Sequence, residues 1–108
     1  MIDILPEKIV EKAYNLRSFG IVEFAWRYDS ILEVINILRD NNYIILGGDV
    51  HKIEEGGKII PCIGDTWYHN RASSPSDVNE SYKKAVDYIN MYHKRNGDGF
   101  CYSVVVDI

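Results

Sequence analysis

Long apolar runs are missing from this sequence of 108 residues, and so is any excess of basic charge. The first absence leaves no segment long and apolar enough to span a bilayer as a helix. The second argues against nucleic acid as a direct partner. Twelve Lys and Arg stand against sixteen Asp and Glu, a formal charge of -4, whereas phosphate recognition needs a basic footprint. A basic protein partner suits that balance better. Cysteine is scarce too. Cys62 and Cys101 form neither a metal-type nor a redox-type pair, which fits a reduced, cytoplasmic protein. The segment Met1 to Glu7 lacks a basic stretch followed by an apolar core, so no signal peptide is expected.

What is present is an ordinary globular balance of 46% hydrophobic and 26% charged residues. Repeats, low-complexity tracts and a second composition are lacking, so residues 1–108 read as one domain with one core. Aromatic residues are plentiful: eight Tyr, two Trp and three Phe. Tyrosine joins apolar area to a polar tip, which serves both half-buried packing and binding surfaces.

The most unusual stretch is Tyr43-Ile44-Ile45-Leu46-Gly47-Gly48-Asp49-Val50-His51. Its apolar run predicts a strand covered on both faces, from about Tyr43 to Ile53. Paired glycines inside it predict a bulge, or a close approach of another backbone, that re-aims Asp49. Upstream, Pro6 opens a predicted amphipathic helix over residues 6–18, striped by Ile9, Val10, Ala13 and Leu16 and stopped by Gly20. Ile21 to Tyr28 predicts a short strand or a segment pinned by Trp26. Asp29 or Ser30 then caps a second helix with the stripe Ile31, Val34, Ile35 and Leu38, ended by Asn41-Asn42.

Downstream of the glycines, Glu54-Glu55-Gly56-Gly57 predicts a hairpin turn. Lys58 to Ile63 predicts the return strand, with Pro61 at an edge or bulge. A second turn at Gly64-Asp65 and a third strand, Thr66 to His69, would complete a meander. Ser74-Pro75-Ser76-Asp77 has the form of an N-cap, and Val78, Tyr82, Ala85, Val86, Ile89 and Tyr92 give one helical face, stopped at Gly97. Phe100 to Ile108 alternates as a strand with one covered face, central or edge according to register. The expected architecture is α+β, in the order α-(β)-α-β-β-β-α-β. It is a mainly antiparallel sheet of four or five strands with three helices packed mostly on one face.

No reactive site assembles from these residues. Gly47-Gly48-Asp49 lacks the spacing and the Gly-Lys-Ser/Thr ending of a phosphate loop. Asp49, Asp65, His51 and His69 have no metal-ligand spacing, and a Cys62–His69 nucleophile pair has no orienting third group. An enzyme, a metal and a cofactor are therefore not expected. Trp26 reads as a buried anchor, and Trp67 as either a core or an interface residue.

Phe24-Ala25-Trp26-Arg27-Tyr28, Ile45-Leu46-Gly47-Gly48-Asp49-Val50, Trp67-Tyr68, Glu80-Ser81-Tyr82, Lys84-Ala85, Tyr88-Ile89 and Tyr92 together resemble the immunity protein 40 family of bacterial polymorphic toxin systems. The resemblance implies an intracellular α+β protein that binds and neutralises a cognate secreted toxin domain, often a nuclease, without catalysis. On that reading Asp49, Glu54, Glu55 and Asp65 are candidate acidic contacts, with Tyr43, Trp67 and Tyr68 as aromatic anchors. A small ligand-binding or regulatory domain with a pocket near Gly47-Gly48 is the alternative.

Overall fold

A computed structural model describes residues 2–18, 21–71 and 76–107. Its sheet has five strands: β1 (Tyr14–Ser18), β2 (Ile21–Arg27), β3 (Ile44–Ile53), β4 (Ile59–Tyr68) and β5 (Phe100–Asp107). Every pairing is antiparallel, and the spatial order is β1-β2-β5-β3-β4. Three α-helices complete the α+β fold: α1 (Glu7–Glu11), α2 (Tyr28–Asp40) and α3 (Asp77–Asn96). The last strand in sequence is thus interior, between β2 and β3.

The first helix is shorter than its apolar spacing predicts. It turns at Lys12, and Tyr14–Ser18 pairs with β2 instead, Tyr14 opposite Ala25 and Leu16 opposite Glu23. Leu16 has another use for its side chain: it is buried with Ala25 and Cys101 in a small cluster separate from the main core. Ile9 still faces the main core, and its carbonyl accepts a 2.8 Å hydrogen bond from Trp26 Nε1, which fastens α1 to β2. Trp26 is fully buried, as an anchor should be. Gly20, the predicted stop, lies outside the described residues.

The second helix begins at Tyr28, one turn ahead of any capping box at Ser30. Ser30 is buried, and its backbone N–H donates to Asp29 Oδ1 at 3.1 Å. The predicted stripe Ile31, Val34, Ile35 and Leu38 is buried, and Asn42 ends the helix at φ 63°. In α3, Ala85, Ile89 and Tyr92 are buried, and Ser81 Oγ accepts a 3.0 Å hydrogen bond from the Ile45 backbone, tying helix to strand. The predicted cap at Ser74-Pro75 lies outside the described residues. The helix starts at Asp77, with Ser76 Oγ donating to Glu80.

Gly64-Asp65 is not a turn, and residues 59–68 form one strand. His51 pairs with Pro61 and Asp49 with Thr66, so Cys62 to Asp65 stand opposite Val50 alone. A break in the alternation, carried by Gly64 at φ 89°, is absorbed as a bulge and the strand continues. At the hairpin, Glu54 N–H donates to Lys58 O at 2.8 Å, closing the predicted turn.

Candidate partner-binding surface

Pairing fixes which face each strand residue occupies. On β3, Val50 is buried, while Gly47, Asp49 and His51 face away from the helices. The predicted glycine break has two physical components. A Cβ on Gly47 would lie 2.3 Å from the Trp67 carbonyl oxygen, so only glycine lets β4 approach there. A Cβ on Gly48 would lie 2.2 Å from Ser103 O and 2.3 Å from the Trp67 ring, so Gly48 leaves the space the indole fills. Leu46 is the extra residue of the β3 bulge, between the Ile45–Val106 and Gly47–Val105 pairs.

Trp67 accordingly belongs to the core. It is 6% exposed and stacks on Tyr88 of α3 with ring centroids 4.9 Å apart. The volume beside Gly48 is occupied by that ring rather than open to a ligand. A cavity of about 400 Å³ lies elsewhere, lined by Arg27, Tyr28, Asp29, His93, Asp98 and Phe100.

The opposite face carries the exposed groups. Tyr68 and Val105 flank Gly47 in one cross-strand row and are 71% and 54% exposed. Asp49 occupies the next row between Thr66 and Ser103, and is exposed. Thr66 Oγ1 donates to Gly48 O at 2.6 Å, which holds the edge strand against β3 beside it. Glu54 and Glu55 are exposed at the β3–β4 hairpin. Asp65 is half-buried and accepts the Tyr92 hydroxyl at 2.8 Å. Burial, and then that hydrogen bond, push the Tyr92 phenol far above its ordinary pKa, so it stays a donor.

The structure therefore brings Asp49 and Tyr68 together, with Glu54 and Glu55 further along the same hairpin. Tyr43 is half-buried against the core, just before β3 begins. Ten residues of β3 at ~3.3 Å each put it roughly 30 Å from the hairpin tip. Sequence reasoning passed over two exposed apolar residues, Val105 and Ile63. Tyr102 faces the main core, so alternation along β5 places Cys101, Ser103 and Val105 on the opposite face. Nothing so simple marks Ile63.

The imagined reactive groups are occupied otherwise. His69 Nε2 pairs with Asp77 Oδ1, both side chains being buried, and this joins the end of β4 to the start of α3. His51 Nε2 lies 3.3 Å from Ser103 Oγ. Cys62 packs against the main core, and burial pushes the Cys101 thiol up to about 12. Among the described residues no group of three or more His, Cys, Asp or Glu could hold a metal ion, and no helix is long and apolar enough to cross a membrane.

The sequence profile of the family described as immunity protein 40 matches residues 15–106. The chain belongs to this family. The match runs from β1 to β5 and includes the glycine pair, the β4 bulge and most of the outer sheet face, leaving out α1. None of the curated proteins and none of the solved structures compared with the chain matches it. Membership of the immunity protein 40 family brings with it, in general terms, a protein toxin as partner.

Proposed function

We propose that this protein is a cytoplasmic immunity protein of a bacterial polymorphic toxin system, binding its cognate secreted toxin domain one to one and blocking it without turnover. The family match over residues 15–106 is the observation that carries the reading. The sheet supports it. One face is covered by helices, while the other presents Tyr68, Val105 and Asp49 on paired, rigid strands. An exposed aromatic residue beside an aliphatic one suits the centre of a protein interface, with the carboxylate at its polar rim. Glu54 and Glu55, further along the hairpin, add charge suited to a basic surface, such as the nucleic-acid site of a nuclease. Trp67 and Tyr43 would act on this surface indirectly, by holding β3 and β4 in place.

The test is genetic and then physical. A reading frame next to this one should encode a toxin domain whose expression arrests growth. Co-expression of this protein should restore growth, and the two purified proteins should form a complex of equal stoichiometry. If the neighbouring toxin domain kills equally well with and without this protein, the reading is wrong.

A further inference from the structure

Ile63 is 97% exposed, more than any other large apolar side chain among the described residues. Single exposed aliphatic residues are common on protein surfaces, and exposure alone would carry nothing. The seating of this one is different. It stands in the bulge of β4, where Cys62 to Asp65 oppose Val50 alone. Both flanks of the bulge are fastened inward. Cys62 packs against the main core. Asp65 accepts a 2.8 Å hydrogen bond from Tyr92, which is 7% exposed and packed edge-on against Phe100 and Tyr102. Gly64 turns the chain at φ 89°, and a Cβ there would meet nothing within 4 Å, so the backbone direction and not crowding selects glycine. The side chain of Ile63 is thus projected from a fixed support.

An acidic group lies on the neighbouring strand. Exposed Asp49 pairs with Thr66 at one end of the bulge, with His51 opposite Pro61 at the other. β4 is an edge strand, yet strand-to-strand addition is poorly served there. Pro61 has no N–H to offer, and the bulge interrupts the ladder. A protruding aliphatic side chain with an exposed carboxylate on the neighbouring strand suits a socket, not a strand. Pre-ordering such a group lowers the entropy lost on docking.

We infer that Ile63 is a preformed knob that enters an apolar socket on the cognate toxin domain, the rim of that socket carrying Lys or Arg opposite Asp49. This deepens the toxin-binding reading above and rests on it. The variants Ile63→Asp and Ile63→Val, made in the full chain, test it against a catalytically inactivated form of the toxin domain by titration calorimetry. Far-UV spectra and melting temperatures of both variants should match the wild type, since the side chain is almost wholly in solvent. Ile63→Asp should weaken binding roughly 30-fold or more, as expected for the centre of an interface, and Ile63→Val, one methylene shorter, much less. An Ile63→Asp affinity within about threefold of wild type overturns the inference while leaving the toxin-binding reading standing. So does a wild-type homodimer in light scattering that Ile63→Asp dissolves, because the knob then serves a second copy of this chain. Absence of binding by the wild type overturns both.

Discussion

Gly48→Ala is the most informative single change in the core of this protein. The added methyl carbon would be placed 2.2 Å from Ser103 O and 2.3 and 2.7 Å from two atoms of the Trp67 ring. Contacts under 3.0 Å do not occur at a real Cβ, so something must move. The oxygen belongs to β5, whose pairing with β3 runs through Gly48–Val104 and Asp49–Ser103, so it cannot withdraw without loosening the central ladder. The indole is held between Gly48 of β3 and Tyr88 of α3. Overpacking costs typically ~1–3 kcal/mol, and two obstacles that are both immobile place this case at about 3 kcal/mol. With ~2.1 cal/mol/K of unfolding entropy per residue, 108 residues give about 0.23 kcal/mol/K, and the melting temperature should fall by roughly 13 °C. Differential scanning calorimetry reads this directly. Gly57→Ala is the control. It sits at φ 82° with nothing within 4 Å, so only left-handed strain of about 1 kcal/mol is added. Combining Gly48→Ala with Trp67→Leu should cost less than the two single changes together, because the smaller side chain removes the ring obstacle. A Gly48→Ala protein melting within about 2 °C of wild type would refute the close approach on which this reasoning depends.

Asp77→Ala should destabilise by about 3 kcal/mol, because it strands the buried His69 without its partner; a melting temperature equal to wild type would contradict the pairing. Burial pushes the Cys101 thiol from 9.0 up to about 12 and the Tyr102 phenol from 10.0 up to about 12, so the fold favours their neutral forms. A raised folded-state pKa stabilises fully below the unfolded value, so urea midpoints should hold up to pH 9 and decline as the pH rises towards 12. In the native protein at pH 8, a disulfide reagent should reach Cys62 first and Cys101 only after denaturation; equal rates would refute the burial of Cys101.

Much of the fold was legible wherever a periodic apolar pattern was used for one purpose only. The stripes of α2 and α3 each face the main core, and both helices form. β5 forms too, but Cys101 and Ser103 are buried on its second face, where one covered face was expected. The misreadings occur where apolar residues serve two clusters. Ile9, Val10, Ala13 and Leu16 have helical spacing, yet Leu16 is recruited by Ala25 and Cys101 across the sheet, and that partnership is invisible locally. Gly64-Asp65 has turn chemistry, but Asp65 is held by Tyr92, a residue 27 positions away, so the chain bulges and continues. Within the candidate surface, Asp49 was marked by the glycine break and Tyr68 by the resemblance to the family. Trp67 could be assigned to the core only once the missing side chain of Gly48 was seen to make room for it. Ile63 carries no local signal, since its exposure follows from a count of four residues, Cys62 to Asp65, against one in the neighbouring strand.

The interior place of β5 has a kinetic consequence. Among the described residues the β1–β2 and β3–β4 pairs do not pair with each other, and residues 100–107 are the strand that joins them. Until that segment is inserted, each hairpin keeps an open inner edge able to recruit the wrong strand. Pairings such as Trp26 with Tyr102 span most of the sequence, so closing the sheet is entropically slow and falls late in folding. Loss of β5 would therefore leave two separate ribbons rather than a trimmed sheet. A growing chain can therefore complete the five-stranded outer face only after residues 100–107 have been made.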